Sequence, residues 1–368
     1  MIKLSLPEIG EEELEEIKKV LESGWLIQGE KVYEFEQMVQ NYLGIKHAIA
    51  ASSGTAALHL SLLALNIRQN DEVIVPDFTF PATANVVEIV GGNCRFVDID
   101  LDTFNIDTEK IEENITEKTK AIIVVHEFGC PAQMDKIMEI AKKYNLKVIE
   151  DAACALGTEY KGKKVGTFGD IGCFSLHPRK NITTGEGGII VTNDDEIAER
   201  LRMLRNHGMK NTNGKIQFEI AGLNYRLTNI QGAIGVVQMK KLEQIIEKRT
   251  QIAKLYNELL KDIEWIKLPT EPIYGRHVWQ TYHIVLDQKI NRDDLIKFMK
   301  DNSIEANIGA YAVHREPYYK NKYKLQDEKY RSSLIAAGKG MALPIYSKLS
   351  LQDIEYIVNT IKSFNRGE

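Results

Sequence analysis

Apolar residues recur through the first forty positions with the spacing of helices. Leu14, Ile17, Val20 and Leu21 form a stripe within 11–22, and the acidic residues around them read as its solvated face. Val32, Phe35 and Val39 form a second stripe, stopped by Gly44. The pattern then changes to short apolar runs of strand length at 47–51, 72–75, 95–98, 121–125, 147–150, 171–176 and 187–192. Helical stretches from Ser53 to Leu65 and from Met134 to Tyr144 fall between them. Strands alternating with helices predict an α/β domain: a mostly parallel sheet with helices on both faces, a three-layer αβα body. A loop around Asn224-Tyr-Arg226 leads into a long helical stretch from about Thr228 to Leu260. The remainder reads as a smaller C-terminal α+β domain, with a strand at 281–286 and an extended segment at 342–346. The expected division is 1–245 and 246–368.

In an open parallel sheet, ligands bind outside the carboxyl ends of the strands. Ser53-Gly-Thr55 follows the first strand and opens a helix, whose free N–H groups suit a phosphate; a plain N-cap by Ser or Thr is the alternative. Asp77-Phe-Thr-Phe-Pro-Ala-Thr83 follows the second strand, so an aromatic there either stacks on a flat ligand or packs in the core. Asp151 follows the apolar run Lys147-Val-Ile-Glu150, and a carboxylate so placed must find a partner. Lys180 sits among hydroxyls and glycines, between two strand-like runs. There an amine is either a nucleophile for a carbonyl group or a phosphate-binding or surface lysine.

The combination is more telling than its parts. Pyridoxal 5'-phosphate needs a lysine for its aldehyde and a carboxylate for its ring nitrogen. It also needs an aromatic against the ring and a helix N-terminus for its phosphate. All four follow strands or lie on turns of one sheet. Bulk properties exclude other classes. Lys and Arg number 47 against 52 Asp and Glu, a formal net charge of −5, so no nucleic-acid partner is expected. No apolar run reaches about 18 residues, so no membrane span is expected. The segment from Met1 to Pro7 shows no long apolar core and no cleavage signature, so a cytoplasmic location is expected. Four widely spaced cysteines hold no C-x-x-C pair, so neither a metal site nor a disulfide framework is expected.

The segments Gly24-Trp-Leu-Ile-Gln-Gly29, Ser53-Gly-Thr-Ala-Ala-Leu58 and Val75-Pro-Asp-Phe-Thr-Phe-Pro-Ala-Thr-Ala-Asn85 are specific when taken together. So are Glu150-Asp-Ala-Ala153, Gly169-Asp-Ile-Gly-Cys-Phe-Ser-Leu-His-Pro-Arg-Lys-Asn181, Thr184-Gly-Glu-Gly-Gly188, Gly222-Leu-Asn-Tyr-Arg226 and Leu343-Pro-Ile-Tyr346. The chain resembles the DegT/DnrJ/EryC1/StrS aminotransferases, sugar aminotransferases of fold type I, over nearly its whole length. The resemblance implies that Lys180 holds the cofactor aldehyde and shuttles the proton, and that Asp151 pairs with the ring nitrogen. It implies that Phe80 stacks on the ring, and that Gly54, Thr55 and Ser175 hold the phosphate. Asn224 would reach the phosphate of a neighbouring subunit, in a homodimer with two shared sites. Cys154 stands where a glutamine or histidine is expected near the phenolic oxygen; a thiol is a weak donor there, and a small buried role is the alternative.

The implied reaction carries an amino group from glutamate to a nucleotide-linked keto-sugar, most simply a 4-keto-6-deoxyhexose. A sugar dehydratase of the same fold carries histidine in place of Lys180. A non-catalytic regulatory relative would not need Lys180, Asp151 and the phosphate residues together. No strand leads into G-x-G-x-x-G, which argues against a nicotinamide enzyme. His126 and His177 lie at strand ends and His314 in the small domain; each is a substrate contact or a packed structural residue. Lys161-Gly-Lys-Lys164 reads as a charged hairpin turn.

Overall fold

A computed structural model describes residues 1–364. Its centre is a seven-stranded sheet. Across it run His47–Ala51, Gly188–Thr192, Ile171–Ser175, Lys147–Asp151, Thr119–Val125, Glu72–Pro76 and Asn93–Val97. Five neighbouring strands from Ile171–Ser175 to Asn93–Val97 are parallel. Gly188–Thr192 alone runs against the rest, pairing antiparallel on both sides. The strands are buried on both faces, which explains their continuous Val and Ile runs. Their order places Ala51, Pro76, Val125, Asp151 and Ser175 at one carboxyl edge.

Two apolar layers cover this sheet. One holds Val32, Phe35 and Val39 of the helix Glu30–Leu43, with Val236, Leu242 and Ile246 of the helix Asn229–Leu260. The other holds Leu58, Leu60 and Leu62 of the helix Gly54–Ala64, with Ala198 and Leu201 of Asp195–Arg205. A third core gathers the three-stranded sheet Ile266–Lys267, Tyr282–Leu286 and Gly340–Leu343 under the helices Arg292–Asp301 and Leu351–Ser363. The helix Asn229–Leu260 passes from the first core to the third between Ile246 and Ile252. Thr228 caps its start with Gln231 in a reciprocal capping box, where sequence reading put the boundary. Two segments tie the bodies together. Ile2 bridges to Ile304 at the N-terminus, and Tyr311–Ala312 pairs with Phe78–Thr79.

Several expectations change in detail. The acidic face of Glu11–Ser23 is not wholly solvated. Glu13 is buried, accepting from Gln238 Nε2 at 2.8 Å and Lys241 Nζ at 2.7 Å. On the same helix Leu14 and Leu21 are instead 57% and 55% exposed. Helices Ala82–Ile89 and Asp195–Arg205 and the hairpin Met209–Phe218 had no reading from the sequence. The Lys161–Lys164 hairpin turn is present, with Lys161 and Gly162 both at positive φ.

Glu150 anchors the sheet's edge loop. Period-two alternation turns it to the face opposite Asp151. It is fully buried and accepts from Gly166 N and Phe168 N, each at 2.7 Å, Gly169 N at 2.8 Å and His126 Nε2 at 3.0 Å. His126 is thereby a structural residue. Glu150→Ala would strand three N–H groups, one of them fully buried, and the buried imidazole, so urea unfolding should show a loss of about 3–5 kcal/mol. A loss under about 1 kcal/mol, the worth of one ordinary hydrogen bond, would contradict this anchoring role.

Candidate active site

Asp151 ends its strand, buried at 4% exposure. Its Oδ2 accepts from Thr83 Oγ1 at 2.8 Å and its Oδ1 from Ala153 N at 3.2 Å. Burial pushes its carboxyl above the ordinary aspartate range, while Thr83, the Ala153 N–H and the charge of Lys180 oppose that push. Lys180 lies on the turn after Ile171–Ser175, held by a bond from its N–H to His177 O at 2.8 Å. The strand reversal at Gly188–Thr192 brings this turn back over the sheet's edge. Lys180 Nζ donates to Cys154 Sγ at 3.0 Å. Burial favours the neutral amine. The Cys154 sulfur and the carboxyls of Asp151 and Glu127 outweigh it and hold the ammonium above the usual lysine range. Burial also pushes the Cys154 thiol up, with Lys180 opposing.

A second group forms at the start of Gly54–Ala64. Ser53 is its N-cap, taking the Ala56 N–H at 3.0 Å. The N–H groups of Gly54 and Thr55 belong to the first turn, where no intrahelical acceptor exists, and they face positive potential from the helix dipole. Ser175 stands directly across: a Cβ on Gly54 would lie 2.8 Å from Ser175 Cβ and 3.2 Å from its Oγ. A side chain at Gly54 would therefore close this cradle. Thr55 is exposed on the same turn. Ser53 is thus the cap, and Gly54 leaves the helix start open beside it.

The structure brings Asp151, Cys154 and Lys180 into one cluster and Gly54 against Ser175. Phe80 follows Phe78–Thr79 and is 65% exposed, its ring 6.4 Å from that of Tyr311. Asn224 is exposed and bridges to Asn206. The next residue, Tyr225, accepts the Ser52 N–H at 2.9 Å, so the segment runs beside the cradle's strand. Among the described residues no hydrogen bond joins Asn224 to the Lys180 cluster. His314 does not open to a ligand. It is buried, with Nδ1 2.6 Å from Asp77 Oδ2, Nε2 3.1 Å from Asp327 Oδ1 and its ring stacked on Tyr330. His177 accepts the Arg179 N–H at 3.2 Å and shapes the lysine's turn. Sequence reading missed Thr79, Thr83 and Glu127. The rule that picked out Asp151, an acid just past an apolar strand, also picks out Glu127 after Val124-Val-His126.

These residues fit pyridoxal 5'-phosphate. An amine and a buried carboxylate lie in one cluster, and a side-chain-free helix start with an opposing serine suits a phosphate. Fold and site therefore define a pyridoxal-phosphate transferase of fold type I. The chain belongs to the DegT/DnrJ/EryC1/StrS aminotransferase family, whose model matches residues 7–362. It is 38% identical to GDP-perosamine synthase of Caulobacter vibrioides, over 97% of this chain and 96% of that one. Helicobacter pylori PseC, an aminotransferase involved in the biosynthesis of pseudoaminic acid, superposes with a TM-score of 0.93 at 30% identity, over 99% and 100% of the two chains. S. venezuelae DesV, solved in complex with a ketimine intermediate, superposes with a TM-score of 0.89 at 31% identity, over 95% and 93%. The protein is an aminotransferase and its cofactor is pyridoxal 5'-phosphate.

Proposed function

We propose that this enzyme moves an amino group from L-glutamate to a nucleotide-linked keto-sugar, a 4-keto-6-deoxyhexose, and releases a nucleotide-linked amino sugar. The observation that carries the reading is the meeting of Lys180, Asp151 and the Gly54–Ser175 cradle at one sheet edge, in a chain whose Caulobacter relative is a GDP-perosamine synthase. The bound cofactor supplies an electron sink that stabilises negative charge on the carbon losing its proton.

The chain's own residues do the rest. Lys180 would hold the aldehyde, and its free amine would accept and deliver the proton at Nζ. Asp151, its charge held by Thr83 and Ala153, keeps the ring nitrogen protonated. Gly54, Thr55 and Ser175 would hold the phosphate, Phe80 would cover a ring face, and Cys154 would lie beside the phenolic oxygen. Asn224 reaches the phosphate of a second subunit. Trp25, Leu26 and Ile27 are exposed, as are Leu14 and Leu21, and such apolar side chains suit a homodimer contact. We take this dimer to work in the cytoplasm. A lysine at position 180 disfavours sugar dehydration, which pairs with histidine there.

The test is a panel of nucleotide-linked 3- and 4-keto-sugars incubated with enzyme and glutamate, followed by mass spectrometry. Formation of 2-oxoglutarate with one matching amino sugar supports the reading. Amination confined to carbonyl compounds lacking a nucleotide would sink it.

A further inference from the structure

Arg249 lies on the helix Asn229–Leu260, between Ile246 of the first core and Ile252 of the third. It is 2% exposed. Among the described residues no acid pairs with it; burial alone acts on it and lowers it to about 10, so it stays charged at neutral pH. A buried cation without a counter-charge costs stability, so its use lies in what it holds. Its Nη1 donates to two consecutive carbonyls, Trp279 O at 3.2 Å and Gln280 O at 3.0 Å.

Those carbonyls belong to a strap, 277–281, that crosses between the same two cores. Val278 packs in the first and Trp279 in the third. Trp279 has a φ of 50°, a left-handed backbone that a bulky residue takes only where its surroundings impose it. His277 helps to impose it: its ring stacks on the indole at 4.1 Å, and its Nδ1 accepts the Trp279 N–H at 2.8 Å. Arg249 completes the hold at the carbonyls.

The strap reaches the turn of Lys180 on both flanks of the lysine. Gln280 Nε2 donates to Arg179 O at 2.8 Å, and Val278 O accepts from Asn181 Nδ2 at 3.4 Å. Other bonds fix the strap to the segment after Val125, from Val278 N to Gly129 O at 3.2 Å and from Thr281 N to Phe128 O at 3.3 Å. The long helix supports the turn a second time, where Gln238 Oε1 accepts the Thr183 N–H at 3.2 Å.

We propose that Arg249 is a positioning residue for Lys180: it fixes the strap, and Gln280 of the strap pins the backbone beside the lysine so that Nζ stays against Cys154. The inference rests on the role given above to Lys180.

The first test is hydrogen exchange of the protein without cofactor. Arg249→Met should speed exchange of the Lys180 and Thr184 amides, which bond His177 O and Leu176 O, by about fivefold, the scale of one lost hydrogen bond. The strand Lys147–Asp151 should exchange at the wild-type rate. Gln280→Leu removes only the final link and should speed the same amides, which keeps the proposal testable if Arg249→Met does not fold. One nitrogen makes both carbonyl bonds, so an ammonium can replace it, and Arg249→Lys should bring the rates back towards wild type. Faster exchange confined to the strap, with the lysine's turn at its wild-type rate, would overturn the proposal. In the loaded enzyme, Arg249→Met should lower kcat on the order of 10–10²-fold, the cost of displacing a reacting group by about 1 Å, while KM for glutamate changes less than about twofold. A raised KM with kcat intact would overturn it as well. The exchange reading needs no cofactor. Failure of this inference therefore leaves the aminotransferase reading standing, and failure of that reading would leave the exchange effect in place.

Discussion

Lys180→Ala is expected to lower turnover by at least about 10³-fold, since one side chain supplies both the covalent anchor and the proton carrier. The neighbours of Lys180 Nζ are Cys154, Asp151 and Glu127, none of which is an amine. None of these groups can replace the covalent link to an aldehyde. The fold should survive, because Nζ makes a single weak bond to a thiol and the turn is held through its backbone. Far-UV circular dichroism would confirm that, and steady-state transfer from glutamate would report the loss. The cofactor should still bind through the Gly54–Ser175 cradle but become removable by dialysis. Turnover within tenfold of wild type would end the assignment of Lys180.

Asp151→Asn should follow, with a loss on the order of 10²–10³-fold in kcat, the scale of removing one aligned charge or donor from an active site. The substitution keeps size but not chemistry. Both Asp151 oxygens accept hydrogen bonds, from Thr83 and from the Ala153 N–H, and an amide offers a donor on one side. The ring nitrogen then faces no negative charge and loses its proton. Cofactor affinity should change far less than kcat, since the phosphate cradle is untouched. A kcat close to wild type would release Asp151 from its role.

The central architecture was readable because burial on both faces writes itself as unbroken apolar runs, as in Ala121–Val125 and Gly188–Thr192. The long helix was readable from Thr228 and Gln231, a capping pair separated by the spacing its chemistry requires. The helix Ala82–Ile89 was hidden, because Pro81 and two threonines look like loop when the packing of Ala84, Val86 and Val87 is unseen. The reversal of Gly188–Thr192 carries no local signal, since a strand's direction is set by its partners. In the site, Lys180, Asp151 and Gly54 stood out by residue type and position. Thr83 did not, because its function lies in one bond to a residue 68 positions away. Glu13 shows the converse. An acid in an acidic helix looks solvated until Lys241 and Gln238, more than two hundred residues on, bury it.

The most direct measurement is the visible absorption spectrum of the protein saturated with pyridoxal 5'-phosphate, recorded before and after adding glutamate. A yellow band that bleaches with glutamate, and returns when a nucleotide-linked keto-sugar is added, is the result this account predicts. A yellow band indifferent to glutamate, or no band in the wild type where Lys180→Ala is also colourless, would contradict it.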